Sequence, residues 1–290
     1  MNLPDPVSFE SALTKFLDYL KLQKRSSATT TAYGSDLSQL HRHLKDHRIT
    51  QATTIATDHL QAYIDHLGQK GYTPKSISRK INSFKTFFKY LHTEKIIIEN
   101  PAHPLVHPKL TAKPPRILTS TEVRNLREAA RLDIRIGSII ELLLQTGMRI
   151  SELAGLKVDS IKKNELHINA IENNLARTIP LGRAAHTAIQ NYLSLRPKID
   201  NSHLFITKTG RPLLIRNIRT SIDRYFKKAG LKDVKVNDLR HTFIAHQLKS
   251  GIDPDTVYKH VGHKRLSSTQ KYLDHVKIEI SEMTSAVIEL

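Results

Sequence analysis

Five prolines in one short stretch, Pro101, Pro104, Pro108, Pro114 and Pro115, limit what this chain can fold into more than any other feature. Each lacks an amide hydrogen and fixes its own φ, and each pushes the residue before it out of the helical region. No helical apolar stripe crosses residues 100–116. The chain therefore divides into a first part, residues 1–107, a spacer, 108–117, and a second part, 118–290. At 290 residues it is long enough to give each part a core of its own. A proline-rich spacer is extended and semi-rigid, suited to holding two domains at a set separation.

The first part reads as four helices. Phe9, Leu13, Phe16, Leu17 and Leu20 make one apolar face, with Ser8 as a cap. A polar run, Lys24 to Thr31, leads into Tyr33, Leu37, Leu40 and Leu44. Thr57-Asp58 opens a third helix through Leu60, Tyr63, Ile64 and Leu67, closed by Gly68 or Gly71. Thr73-Pro74 starts a fourth, bearing Ile77, Ile81, Phe84, Phe87, Phe88 and Leu91. Its other side is read as carrying Lys75, Arg79, Lys80, Lys85 and Lys89. A basic helical face is commonly just a solvated surface. In a strongly basic chain, beside the Ser/Thr-rich run, Lys75, Arg79, Lys80 and Lys85 are the candidate phosphate contacts.

The second part mixes periods. Thr119 or Ser120 with Glu122 caps a helix to Ala130, and Ile134 to Leu144 is a buried helix ending at Thr146-Gly147. Ile150 to Leu156 is the next short helix. The period then changes: His167-Ile168, Ile171 and Thr178 to Leu181 read as strands around a Glu172-Asn173-Asn174 turn. Leu204 to Leu214 gives a second, shorter hairpin around Thr209-Gly210. Helical patterns follow at 215–229, 237–250 and 255–261, and residues 278–290 form an amphipathic tail. The fold class is mainly α with a small β component.

Chemistry concentrates near the end. Arg240 lies in Asn237-Asp238-Leu239-Arg240-His241-Thr242-Phe243, with Leu239 and Phe243 four apart on an apolar face. His263 closes Val261-Gly262-His263, and Tyr272 follows nine residues later in a helix that Ser267 or Ser268 is placed to cap. A second arginine, Arg149, follows Thr146-Gly147-Met148 at a break between two helices, pinned by apolar anchors on both sides. Taken singly, an arginine on a helix is usually solvated and a tyrosine usually half-buried packing. Together they form a set: guanidinium forks grip phosphate oxygens, a histidine donates to the same group, and a tyrosine attacks phosphorus.

Charge agrees. The chain holds 45 Lys and Arg against 27 Asp and Glu, a net charge of +18. An excess of that size repels itself and favours a polyanionic partner, nucleic acid first among them. Cysteine is absent, which excludes disulfides and thiolate metal sites. The 16 histidines are scattered, and the group His41, His43 and His47 sits among cations, so no metal site is expected. No apolar run nears membrane-spanning length and Met1 leads into a polar segment, so the expected location is cytoplasmic.

Arg149 in TGMRISEL, Arg240 in DLRHTF, His263 in VGH and Tyr272 in STQKYLDH, in this order and with this spacing, resemble the tyrosine recombinases of the phage-integrase family, in particular their Xer-like branch. The resemblance covers nearly the whole chain. It implies a helical, SAM-like core-DNA-binding domain that clamps DNA opposite a mixed α/β catalytic domain. It implies a site-specific recombinase of double-stranded DNA, acting through a 3′-phosphotyrosine and a free 5′-hydroxyl, with no cofactor. It also implies a homo- or hetero-tetramer on two DNA sites, assembled through the C-terminal segment.

Two positions depart from the pattern. The family carries a His three residues before the second arginine, where this chain has Asn237, which can bond a phosphate but not exchange a proton near neutrality. The family also carries a Lys in the first hairpin as acid for the leaving oxygen. Glu172 stands there, and no Lys occurs between Lys163 and Lys198. Lys208 and Arg177 are the possible substitutes, and Glu152 is placed to orient Arg149. The sequence-level candidates are thus Arg149, Asn237, Arg240, His263 and Tyr272. The alternatives are an active recombinase, a DNA-binding protein of recombinase fold with impaired catalysis, and, least favoured, an unrelated basic helical regulator. A type IB topoisomerase would use a similar site, but the chain is short for one.

Overall fold

Helix starts in this chain are written by short polar side chains. In a computed structural model that describes residues 7–111, 113–171 and 175–274, Ser8, Ser26 and Thr73 each accept an amide three residues on, at 3.2, 3.1 and 3.3 Å. They open α1 (Phe9–Leu22), α2 (Ser27–Asp46) and α4 (Pro74–Thr93). Pro74 occupies the first turn of α4, where its missing N–H costs nothing. Between α2 and α4 runs α3 (Thr57–Gln69). The polar run after Lys24 passes into α2, which begins within it at Ser27. The chain separates into two compact units, Met1–Ala112 and Lys113–Leu290.

The first unit is built on aromatics. Phe9, Phe16, Phe84, Phe87 and Phe88 are fully buried, and Phe16 meets Phe87 edge to face at 5.3 Å. Truncating one such ring costs about 3–5 kcal/mol. Ala102 and Leu105 join this core, so the first prolines of the boundary segment belong to the helical unit and do not float free of it.

One candidate DNA contact is overturned here. Lys80 is 1% exposed. It lies three residues after Ile77 and four before Phe84, on the apolar stripe of α4 and not opposite it. Its Nζ donates to Asp36 Oδ1 and Gln39 Oε1, each at 2.9 Å. Arg79 forks onto the same buried carboxylate from its exposed side. Lys75 is exposed, and Lys85 is half-buried with Nζ 3.4 Å from the His103 carbonyl.

The second unit runs α5 (Ser120–Ala130), α6 (Ile134–Thr146), α7 (Ile150–Ala154), β1 (Ile161–Lys162), β2 (Glu165–Ile168), β3 (Arg177–Pro180), α8 (Arg183–Leu195), α9 (Ile215–Lys228), α10 (Val236–Lys249) and α11 (Pro254–Val261). Residues 267–274 form a further helix. The sheet is antiparallel in the order β1-β2-β3, with Leu166 opposite Ile179 and Ile168 opposite Arg177. Side chains alternate along a strand, so Arg177 shares the inward face with Ile179. α8 is a helix that the sequence reading passes over, although Ala185, Ile189 and Tyr192 carry a helical stripe.

The expected second, shorter hairpin is present, with Ile206 bridged to Pro212 and the bonds Thr207 N to Arg211 O at 2.8 Å and Leu213 N to Phe205 O at 3.3 Å beside it. Proline has no N–H with which to extend a ladder. No serine caps the helix of 267–274; Ser267 and Ser268 lie inside it, and the Gln270 amide bonds Leu266 O at 3.0 Å.

Candidate active site

Three chain ends of the second unit converge on one place. α6 stops because Gly147 takes the left-handed conformation, φ 59°. A Cβ there would stand 2.4 Å from the Phe243 ring, so only glycine fits. The freed Gly147 carbonyl accepts Arg240 Nη1 at 2.6 Å. Arg149 follows as the N-cap residue of α7, its amide bonded to Glu152 Oε2 at 2.8 Å and its Nη1 3.2 Å from Oε1. Both Arg149 Nη atoms also donate to the Gly262 carbonyl at 3.1 Å. Gly262 ends α11 in the same left-handed way, φ 63°.

Glu152, buried to 1% exposure, is the hub. Arg177 lays its two Nη atoms across the carboxylate at 3.0 Å each, and its Nε donates to the His260 carbonyl at 2.7 Å. Burial alone would raise the Glu152 carboxyl. The hydrogen bonds from Arg177 and the Arg149 amide outweigh it and hold the group below its usual range, hence ionised. The inference that Glu152 orients Arg149 by an ion pair agrees with this geometry. Arg177 is bound at all three nitrogens and is not free to act elsewhere.

Two guanidiniums thus bond one carboxylate, and Arg240 lies near enough to feel its charge. Arg240 is 5% exposed, and its Nη2 is buried without a hydrogen-bond partner among the described residues. Burial, then the charge of Arg149, pulls it down to about 9. His263 sits with Nδ1 2.8 Å from Thr269 Oγ1. Burial, then Arg240 and Arg149, pushes it down to about 4, so the ring is neutral near pH 7. Both shifts record a place where positive charge is in excess and an anion is wanted.

Tyr272 completes the set. Its ring packs with Phe243, Ile244, Val257 and Val261 in a small apolar cluster, which anchors it. Burial raises its phenol, and Arg240 partly opposes that, so the hydroxyl is protonated at rest. Its Oη lies 2.5 Å from His241 Nδ1. The other ring nitrogen, Nε2, is 2.7 Å from Asn237 Nδ2. The five sequence candidates, Arg149, Asn237, Arg240, His263 and Tyr272, therefore fall in one site. His241 is the residue that sequence reasoning missed; the available signal was its place four residues after Asn237 on one helical face. Glu172, where the family's lysine stands, lies outside the described residues. Lys208 is exposed in the turn at 207–210.

Comparison with known proteins agrees with this arrangement. Residues 116–278 match the phage integrase family, and residues 13–95 match the phage integrase N-terminal SAM-like domain. Tyrosine recombinase XerC of Listeria innocua serovar 6a is 33% identical over 272 residues, 89% of this chain and 91% of the relative. XerC of Bacillus licheniformis is 31% identical, covering 94% of each. Among solved structures, XerA recombinase matches 95% of this chain and 98% of its own, at 25% identity and a TM-score of 0.55. A lambda integrase dimer bound to a COC' core site shares the fold at a TM-score of 0.76 and 18% identity, over 92% of this chain and 77% of that one. The chain belongs to the phage integrase family and is a site-specific tyrosine recombinase.

Proposed function

We propose that this recombinase cuts double-stranded DNA by attack of Tyr272 on a phosphodiester, leaving a 3′-phosphotyrosine and a free 5′-hydroxyl, and then rejoins the strands. One observation carries the reading. A protonated, buried tyrosine hydroxyl stands in a site where two guanidiniums share one carboxylate and a third, Arg240, has a buried nitrogen without a partner among the described residues. A phosphodiester is the anion that such a site lacks. Arg149 and Arg240 fork its non-bridging oxygens, and the neutral His263 donates one more bond, so charge developing in the transition state is met by fixed donors. The phosphotyrosine keeps the bond energy of the diester, so rejoining needs no outside energy source.

Residues 1–107 serve as the core-DNA-binding clamp, 108–117 as linker and 118–290 as catalytic domain. The division at 112/113 and the match at 13–95 support this. Of the basic candidates, Lys75, Arg79 and Lys85 remain as phosphate contacts. We assign a tetramer, of like or unlike subunits on two DNA sites, with the C-terminal segment as the link; solved relatives include a lambda integrase tetramer bound to a Holliday junction. That segment lies outside the described residues. A cytoplasmic setting fits the DNA substrate, and no helix among the described residues is long and apolar enough to cross a membrane.

The test is a nicked duplex carrying the site selected by binding from a random pool, which releases a short strand on cleavage and traps the adduct. The parent traps it; Tyr272→Phe binds equally and traps none. Adduct in the Phe variant would refute the assignment. A second reading, DNA binding with slow cleavage, is favoured by Arg177 being tied to Glu152 and His260 and so unable to serve as the leaving-group acid. On that reading Glu172→Lys speeds cleavage of ordinary DNA by roughly tenfold or more. It leaves unchanged the cleavage of DNA whose 5′-bridging oxygen is sulfur, which departs without a proton.

A further inference from the structure

The family places a histidine at the position of Asn237, and this chain has no ionisable group there. The structure shows a histidine one helical turn along the same face of α10. Asn237 and His241 are four apart, and their side chains meet at 2.7 Å. The far ring nitrogen of His241 lies 2.5 Å from Tyr272 Oη. We propose that Asn237, His241 and Tyr272 form a proton relay. In it His241 Nδ1 takes the hydroxyl proton as Tyr272 attacks phosphorus, while Asn237 holds the ring. The proposal rests on Tyr272 being the nucleophile.

The hydrogen-bond inventory selects one arrangement. The structure sets Asn237 Nδ2 at 2.7 Å from Nε2, and half a turn of the amide presents its oxygen at the same place. With the oxygen toward His241, Nε2–H donates to Asn237 and the lone pair of Nδ1 faces the tyrosine. With the nitrogen toward His241, Nδ1–H would have to donate to Oη. The buried hydroxyl hydrogen would then lack an acceptor, since His241 is the only partner of Oη among the described residues. A buried donor left unmade is costly. The first arrangement satisfies all three groups and leaves Nδ1 ready to accept.

Electrostatics support the same direction of transfer. Burial holds His241 below its ordinary value, with Asp238 opposing and Arg240 adding, so the ring is an unprotonated acceptor near neutrality. An arriving phosphodiester adds negative charge beside it, which favours the imidazolium as the proton arrives. In the step, the Tyr272 O–H bond breaks and its proton passes to Nδ1. The Oη–P bond forms and the bond from P to the 5′ oxygen breaks, that oxygen taking a proton from a separate acid or from water. Rejoining reverses this, with the imidazolium returning its proton to Oη as the 5′-hydroxyl attacks. His241 touches the reacting atom and is a catalytic residue; Asn237, acting through the ring, is a positioning residue.

Single-turnover adduct formation on the nicked substrate tests the relay, alongside DNA affinity. The parent forms adduct and Tyr272→Phe does not. His241→Ala and His241→Gln bind DNA as the parent does but form adduct roughly a hundredfold to ten-thousandfold more slowly. The loss persists on 5′-bridging-sulfur DNA, because the nucleophile and not the leaving group lacks its partner. Added imidazole restores His241→Ala by about tenfold or more, within the general-base range. Between pH 7 and 9 the parent rate is level, whereas His241→Ala climbs about tenfold per pH unit as Tyr272 ionises unaided. Asn237→Leu slows adduct formation by roughly tenfold with affinity unchanged, and Asn237→Asp, which still accepts from Nε2–H, restores it. A folded, DNA-binding His241→Ala or His241→Gln that forms adduct at the parent rate overturns the relay. So does a loss that sulfur DNA fully relieves, which would make His241 the leaving-group acid. A parent that forms no adduct at all would instead overturn the nucleophile assignment beneath it.

Discussion

Replacing Glu152 by Gln changes one atom's identity in the site and tests whether the hub is held by charge. The carboxylate takes two bonds from Arg177 at 3.0 Å, the Arg149 amide at 2.8 Å and Arg149 Nη1 at 3.2 Å. Glutamine keeps one oxygen to accept but turns an NH₂ toward guanidinium donors and leaves Arg149 and Arg177 without their counter-charge. Removing one partner of a buried pair costs about 3–5 kcal/mol, and a retained neutral bond returns about 1, leaving a loss near 3 kcal/mol. For a unit of this size that lowers Tm by about 6–12 °C. Calorimetry of the full chain reads it directly. DNA supplies phosphate to the same cations, so the ligand should raise the variant's Tm more than the parent's. The acid side gives a second check. The Glu152 carboxyl is held below its ordinary 4.5, so its contribution is present above that pH and is lost as pH falls through the depressed value. Parent and variant should therefore differ by a constant amount above about pH 4.5 and converge as pH falls through the depressed value. A variant melting within 2 °C of the parent at pH 7, with or without DNA, would refute the claim that Glu152 neutralises the site.

Gly147→Ala combines a positive φ with a Cβ 2.4 Å from the Phe243 ring, and should cost about 2–4 kcal/mol in a melt while slowing adduct formation by displacing the carbonyl that holds Arg240. His260 and His263 are both pushed to about 4 by burial, so the unfolded chain takes up protons at them that the folded chain refuses. Stability should fall as pH drops from about 6.5 toward 4, and His260→Phe should flatten that slope in pH-dependent melts. Lys80→Ala should destabilise the helical unit by about 3 kcal/mol, since Lys80 pairs with Asp36 inside it. Lys75→Ala should leave stability within about 0.5 kcal/mol yet lower the salt slope of DNA binding by about one.

What the sequence disclosed was what local chemistry writes. Thr119 with Glu122 closes a reciprocal cap on α5, and Gly147 and Gly262 end their helices in left-handed conformations. Proline's constraint is also local, but where Pro101 and Pro104 belong is set by Ala102 and Leu105 joining the first core. What stayed hidden depends on tertiary approach. Lys80 carries a charge on the apolar stripe, and only the buried carboxylate of Asp36, 44 residues away in the chain, makes that position tenable. Arg177 points inward because Ile179, two residues on, does; whether a cation is tolerated there depends on Glu152 lying across the fold. His241 follows Arg240 as an ordinary helical residue until residues 267–274 bring Tyr272 against it.

The central claim is that Tyr272 is the atom carrier in strand exchange, and the most direct measurement identifies the residue joined to DNA. The parent is trapped on the nicked duplex, the adduct is digested with protease and nuclease, and the nucleotide-bearing peptide is sequenced by mass spectrometry. The account predicts a single modified peptide containing Tyr272, linked through a 3′-phosphate, and none from Tyr272→Phe. Modification at Tyr258 or Tyr225, a 5′-linked nucleotide, or no covalent peptide on a duplex the protein demonstrably binds would contradict it.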